Sequence, residues 1–357
     1  MQNVAYVVGG GLTMSTAFRS DFPGGLSLAE LCVESIQSLR VAEKTGLHER
    51  SKRLINSLLI LLEKRGSFNL EELIEHLMTS GNPELEELSR QLSNEFSNCL
   101  GKRVAKLIDH LDENDTPTQD SAEMILALHQ EDSSDEHIVG FITTNYDTLL
   151  ERALKKRNLE PDFGFDHGQA DANNLPLLKL HGSIDWRSGV PVKRLEAAYV
   201  NDAEPPLWIG PRRVKQARDY PFNGIWAKAR ELLARADVIR VIGASLYASD
   251  WHICQLLFLT ARLDSLGEKK IELINRTRGC DRLVEAYPLL PLVPVYEDDE
   301  VIRYFCSLPK EAKIEEEHRE QIRGRFGGSS NPVDLWLQAK VFSLSSVEND
   351  DLLSILG

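Results

Sequence analysis

Two hydrophobic periodicities divide the chain. A short apolar run, Val4 to Val8, has strand length and ends in Gly9-Gly10-Gly11. After Gly25 the apolar positions recur at helical spacing: Leu28, Leu31, Ile36 and Leu39, then Leu54, Ile55, Leu58, Leu59 and Leu62. Asn69 and Glu72 have capping-box spacing ahead of Leu73, Ile74 and Leu77, and Leu85, Leu88, Leu92, Phe96, Leu100, Val104, Leu107 and Ile108 predict one long helix. Residues of about 27 to 130 therefore read as a run of helices without a convincing strand. From His137 onward strand-like runs alternate with helical ones, the pattern of a parallel sheet covered by helices. The predicted strands are Ile138 to Thr143, Leu177 to Leu180, Val238 to Ile242, Ile271 to Ile274 and Val293 to Tyr296. The predicted helices include Thr148 to Lys156, Asn223 to Arg235, Asp250 to Leu263 and Glu300 to Ser307.

The resulting fold class is α/β: a Rossmann-like parallel sheet covered by helices, with a helical insertion after the first strand and a short C-terminal tail. The expected division assigns residues 1–26 and 131–309 to the sheet domain, 27–130 to the insertion and 310–357 to the tail. "FGGSSNP" (Phe326 to Pro332) reads as a hinge before an amphipathic end.

Composition narrows the class only slightly. Hydrophobic residues make up 42% of the chain and charged ones 27%, which is ordinary for a globular protein. A net charge of −14 argues against broad electrostatic binding to nucleic acid or acidic membranes, so neither partner is expected. The five cysteines lack C-x-x-C spacing, so no metal site is predicted, and their odd, scattered placement fits a reducing, cytoplasmic setting. The apolar run at Val4 is too short for a signal peptide or a membrane span.

Candidate chemistry lies where the strands end, because ligands of open parallel sheets collect beyond the carboxyl ends of the strands. The first strand is followed by Gly9-Gly10-Gly11-Leu12-Thr13, and the second by Thr143-Thr144-Asn145-Tyr146-Asp147. His181-Gly182-Ser183, Gly243-Ala244-Ser245-Leu246 and Asn275-Arg276-Thr277 follow three others. A G-x-G alone is no more than a tight turn. In "FITTNYDTLLERAL", Thr148 and Glu151 have the spacing of a capping box, and Asp147 is a second capping candidate. Capping leaves Asn145 unexplained, and five polar strand ends on one edge point to a nucleotide lying across it. His181 would face the same crevice as Asn145, with Gly182 leaving room beside it. The ordinary pKa of a histidine allows it to take a proton near neutral pH.

In this order, "VVGGGLT", "TTNYD", "LLKLHGS", "VIGASL" and "ELINRT" resemble the motifs of the sirtuin-like NAD-binding family. They look closest to its bacterial branch of NAD hydrolases used in antiphage defence. The specific part is "TTNYD" with "KLHGS"; the helical block and the tail lie outside the resemblance. It implies NAD as substrate, Asn145 as the amide that positions the nicotinamide ribose and the attacking water, and His181 as the catalytic base. Asp147 would hold the loop or the nicotinamide end. Gly9, Gly10, Gly11 and Thr13 would line the pyrophosphate, with Thr144, Gly243, Ser245 and Asn275 completing the nucleotide contacts.

The sequence also departs from deacetylase sirtuins. It has no paired C-x-x-C, and "MSTAFRSDFP" does not reproduce their Gly-x-Pro-Asp-Phe-Arg stretch. Hydrolysis of NAD to ADP-ribose and nicotinamide is therefore the first expectation. Protein deacylation or ADP-ribosyl transfer is the second, and a catalytically silent nucleotide-sensing module the third. A freely active NAD hydrolase would poison its own cell, so a gate is expected, supplied by a partner chain or small signal. Homo-oligomerisation is implied by the family alone.

Overall fold

The computed structural model describes residues 2–19, 28–41, 49–65, 70–114, 120–129, 136–165, 174–188, 193–194, 206–210, 219–244, 246, 251–263, 269–275, 277–287 and 290–295. Seven parallel strands form the main sheet: β1 (Gln2–Val8), β2 (Glu136–Thr143), β3 (Glu160–Asp162), β4 (Asn174–Lys179), β7 (Val238–Ile242), β8 (Lys270–Ile274) and β9 (Leu292–Val295). Their spatial order is β3-β4-β2-β1-β7-β8-β9, and a two-residue hairpin of β5 (Trp186–Arg187) and β6 (Lys193–Arg194) stands apart. The five strands whose ends carry the candidate residues, β4, β2, β1, β7 and β8, are contiguous in this order. Val4 to Val8 and Val238 to Ile242 are buried throughout, as expected of strands covered on both faces.

After β1 the chain crosses to β2 on one side, and after β7 it crosses to β8 on the other. Neighbouring strands whose connections depart in opposite directions open a crevice at their carboxyl ends. The switch point is thus β1/β7, and the glycine loop sits over it.

The predicted α/β class agrees with this architecture, and the expected strands differ from the observed ones by one to three residues at their ends, β4 starting at Asn174 rather than Leu177. The strand expected at Val293 to Tyr296 runs from Leu292 to Val295 among the described residues. Short β3 and the hairpin escaped the periodicity because two or three residues carry no period. The helix expected at Glu300 to Ser307, the capping box at Asn69 and the tail from residue 310 lie outside the described residues.

Helix α1 (Gly10–Arg19) follows β1 directly. The helical block comprises α2 (Leu28–Val41), α3 (Glu49–Arg65), α4 (Leu70–Met78) and α5 (Pro83–Asn114). Leu31, Ile36, Ile55, Ile74, Leu88, Leu92, Phe96 and Val104 form a core of their own. The next helix, α6 (Ser121–Leu128), instead adds Ala122, Ile125 and Leu126 to the core of the sheet. So residues 27–130 contribute to both cores.

The remaining helices are α7 (Leu149–Lys156), α8 (Phe222–Arg235), α9 (Trp251–Leu263) and α10 (Thr277–Ala286). Helix α8 packs across β4, β2 and β1 through Phe222, Ile225, Ala229, Leu232 and Leu233. None of the described helices is long and apolar enough to cross a membrane.

Charged contacts tie the block to the sheet domain. Arg152 of α7 donates to Asp112 of α5 and to Asp120 and Glu123 at the start of α6, all within 2.7–2.9 Å. Asp120 also caps α6 by accepting from the amides of Ala122 and Glu123. Burial, reinforced by the charge of Glu123, pushes the Asp120 carboxyl up to about 6 against the pull of Arg152. A raised acid favours the protonated folded state, so this contribution is complete below about pH 4 and is lost as pH rises through 6. We expect urea unfolding of wild type and Asp120→Asn to diverge between pH 7 and pH 4. Wild type should gain about 2.5 kcal/mol relative to the variant as pH falls over that interval. A gain in the opposite direction would mean that Arg152 keeps Asp120 ionised throughout.

Candidate active site

The carboxyl edge is stitched together by amides one residue beyond each strand. Thr144 N donates to the carbonyl of Val8, Gly9 N to Ile242, Gly243 N to Ile274 and Leu180 N to Thr143. Gly11 N donates to the carbonyl of Gly243. A Cβ on Gly9 would fall 2.4 Å from the α-carbon of Ala244, and one on Gly11 would fall 2.5 Å from that of Gly243. Gly243 has φ +59 and faces Gly11 at similar range. The two glycine loops are therefore glycine-rich because backbone meets backbone at the switch point. Gly9 and Gly11 spend their amides and their bare faces on this contact. Gly10, at the exposed start of α1, has open space beside its α-carbon.

Three side chains, one from the first turn of α1 and two from the loop after β2, meet nearby. The Thr13 hydroxyl donates to Oδ2 of Asp147 at 2.6 Å. Asn145 Nδ2 donates to the Thr13 oxygen at 3.0 Å and to the carbonyl of Gly9 at 3.1 Å. The orientation of the Asn145 amide is dictated by the chemistry of its two partners. A carbonyl offers no hydrogen, and Thr13 has committed its only one to a carboxylate, so both partners demand the NH2 end. Oδ1 is consequently the end of Asn145 turned away from Gly9 and Thr13. The Asn145 backbone amide donates to the hydroxyl of Thr143, which in turn donates to Val8 O, both at 3.0 Å.

The expected capping box does not form. Thr148 occupies the N-cap of α7 without a side-chain hydrogen bond, and Asp147 Oδ1 accepts from the amide of Leu149 at 3.1 Å instead. Asp147 thus serves as cap with one oxygen and as partner of Thr13 with the other. Glu151 turns into the interior, where its carboxylate accepts from Lys179 Nζ at 2.7 Å. Lys179 is fully buried and also donates to the backbone carbonyl of Asp147. Burial raises the Glu151 carboxyl, while the Lys179 ammonium pulls it back. Neither residue belongs to the expected site, although a lysine interrupting the apolar run "LLKL" is a visible irregularity.

His181 is 3% exposed and lies in the turn after β4. This turn is fastened to the Asn145 loop: Ile184 N and the Ser183 hydroxyl both donate to the carbonyl of Tyr146, at 3.0 and 3.2 Å. The rings of Tyr146 and His181 lie 6.2 Å apart. Gly182 has φ +81, and a Cβ there would strike the Leu207 carbonyl at 2.5 Å, so only glycine fits the turn. The room expected beside His181 is thus filled by the Leu207–Trp208 backbone.

The Asn275 side chain donates to the carbonyl of Ala244 at 2.7 Å, which joins the loops after β7 and β8. Thr144 is half-buried, and Ser245 lies outside the described residues. Among the described residues no three His, Cys, Asp or Glu side chains gather in a group able to hold a metal ion.

The helical block forms one wall, which no sequence pattern predicts. Trp208 stacks on Phe96 of α5 with ring centres 6.2 Å apart and meets Tyr146 edge-on at 4.7 Å. Ile184 belongs to the core of the block, and the Tyr146 hydroxyl donates to Ile209 O at 2.9 Å. Farther along α5, Leu107 and Leu111 pack with Ala17 of α1 and Leu149 of α7.

The doubly wound parallel sheet, with a polar triad beyond β1 and β2 beside its switch point, is an architecture whose ligands collect at the carboxyl ends of the strands. Residues 139–265 match the family model of the SIR2-like domain, about a third of the chain. Curated proteins gave no match. Several solved structures align with the chain. One is a Sir2 homologue in complex with NAD, 15% identical, with 82% of this chain and 83% of that one covered and a TM-score of 0.38. Another is a Sir2 homologue mutant in complex with ADP-ribose, 14% identical over 97% and 95% of the two chains, also at 0.38. A third is Sir2Tm bound to a propionylated peptide, 15% identical over 91% and 94% at 0.31.

The glycine geometry yields a paired test. Gly11→Ala drives a methyl group into the Gly243 backbone and should cost about 1–3 kcal/mol. Gly10→Ala, with nothing nearby, should stay within about 0.5 kcal/mol of wild type. Urea unfolding of the two variants measures both, and equal costs would contradict the backbone contact.

Proposed function

We propose that the protein hydrolyses NAD to ADP-ribose and nicotinamide at the Thr13–Asn145–Asp147 cluster. The observation that carries this reading is the fixed orientation of Asn145. Both hydrogens of its amide are committed to Gly9 and Thr13, so its oxygen is the end left to work as an acceptor. The SIR2-like match over residues 139–265 supports NAD as the nucleotide, because that family uses NAD.

Breaking the nicotinamide–ribose bond develops positive charge on the sugar, as in glycoside hydrolysis. The pyridinium leaving group is already activated and departs as neutral nicotinamide, so strong general-acid help is unnecessary. What the protein has to supply is orientation and a destination for one proton. Asn145 Oδ1 would accept a hydrogen bond from the ribose hydroxyl or from the attacking water and hold it in line. His181 would act as the base, accepting the proton released as the water oxygen bonds to the anomeric carbon. Gly10, at the open start of α1, is the member of the glycine loop best placed for a phosphate. Contacts of Thr144, Gly243, Ser245 and Asn275 with the rest of the nucleotide belong to the same proposal.

We further propose that the enzyme is a gated antiphage effector that acts by depleting NAD. The gate would be the block at residues 27–130, driven by a partner chain, a small signal or self-association. Support for the location comes from α5, whose Phe96 stacks on Trp208, itself edge-on to Tyr146 in the Asn145 loop, and whose Leu107 and Leu111 pack with Leu149 just beyond that loop.

Product analysis with NAD tests the assignment. Asn145→Ala and His181→Ala should each lower nicotinamide release by about 10²-fold or more. Asn145→Asp should be as damaging, since a carboxylate cannot donate to Gly9 O. If both alanine variants retain wild-type activity, the site is misassigned. Nicotinamide release that requires an added acetylated peptide would indicate a deacylase instead.

A further inference from the structure

The proposed reaction makes no use of Lys179 or Glu151, yet both are buried directly behind the site. Lys179 ends β4 with no exposed surface, and Glu151 is 7% exposed on α7. Taking both charges out of water is expensive, and a volume-matched apolar pair often serves stability equally well or better. Their retention here coincides with a definite geometric task.

Lys179 lies opposite Thr143 in the β2–β4 register. Thr143 holds the entry to the polar loop, because its hydroxyl accepts from the Asn145 amide at 3.0 Å. Lys179 holds the exit, because its ammonium donates to the Asp147 carbonyl. The Asp147 side chain then anchors Thr13 and starts α7 through Leu149. Asn145 sits between two fixed points on adjacent strands. Glu151 keeps the ammonium aimed: it lies one helical turn beyond Asp147, so its carboxylate and the Asp147 carbonyl take two of the three ammonium hydrogens from one side.

We propose that Lys179, oriented by Glu151, is a positioning residue that fixes the Asp147 backbone and through it the height of Asn145 over the crevice. The catalytic part of this statement rests on the NAD-hydrolase reading; the structural part does not.

The test uses the full chain with Lys179→Met and Glu151→Leu combined, which removes both charges without leaving one unpaired. Thermal unfolding should stay near wild type. Hydrogen–deuterium exchange should accelerate in peptides spanning residues 143–150 while the strands of the sheet keep their protection. With NAD, kcat should fall by about 10²-fold with a much smaller change in KM, the mark of lost orientation rather than lost binding. Unchanged exchange and unchanged kcat at equal stability would overturn the proposal and leave the pair a merely structural feature. If wild type releases no nicotinamide, either the gate is closed or the hydrolase reading fails, and in both cases the exchange comparison alone decides the role of Lys179. If the double variant does not fold, Glu151→Gln is read the same way. Protection lost first at residues 143–150 supports positioning, and a uniform loss or none at all overturns it.

Discussion

The hydrogen bond from Thr13 to Asp147 is the constraint on which the candidate site turns. It is short, charge-assisted and shielded from water, which places it among the stronger side-chain contacts available to a protein. It joins the first turn of α1 to the N-terminal end of α7, two elements far apart in the chain. By consuming the only hydrogen of Thr13 it also decides how Asn145 lies. A carboxamide free to flip would present donor or acceptor to a ligand with equal ease. Here the flip would set an oxygen against an oxygen at two partners, and the cost of an unmade buried hydrogen bond keeps one orientation.

Much of this was legible in the sequence, and the reason is geometric. In a parallel sheet every strand end delivers its next few residues to the same edge, so the residues just past each strand spell out that edge. Val238 to Ile242 and the polar loop after Thr143 were identified in this way, and their strands proved adjacent to β1. The roles within the edge were less legible. Periodicity reports which residues are buried, not what their polar atoms reach. Thr148 and Glu151 have the spacing of a capping box, but Lys179 at a strand end gives Glu151 a stronger partner than a backbone amide. The glycines tell a similar story: Gly9 and Gly11 fit a phosphate loop by sequence, and the structure spends them on close contact with Gly243 and Ala244. A backbone contact of this kind leaves no trace in the sequence except more glycine.

The helical block was the largest element without an assigned purpose, and its packing supplies a physical reason for its position. Helix α5 runs for 32 residues, about 48 Å at the usual rise, long enough to touch the site region twice. Near its middle Phe96 stacks on Trp208, which meets Tyr146 beside Asn145. Near its end Leu107 and Leu111 bear on Leu149, next to the cap that Asp147 provides. A shift of α5 along its axis would therefore press on both sides of the loop that carries Asn145. Packed interiors do not deform continuously, so such a shift would be accommodated by side chains changing to a second arrangement.

This arrangement separates two requirements that meet at Asn145. Orientation of its amide is set locally, by Thr13 and the Gly9 carbonyl, and survives as long as the loops after β1 and β2 stay in register. Placement of the loop depends on Lys179 from within the sheet and on contacts from outside it: the aromatic wall, Leu149 and the charged cluster around Arg152. Control exerted through the block would act on the second without undoing the first. The buried Thr13–Asp147 contact joins the two requirements, because Thr13 orients the Asn145 amide while Asp147 caps the helix on which Leu149 meets the block.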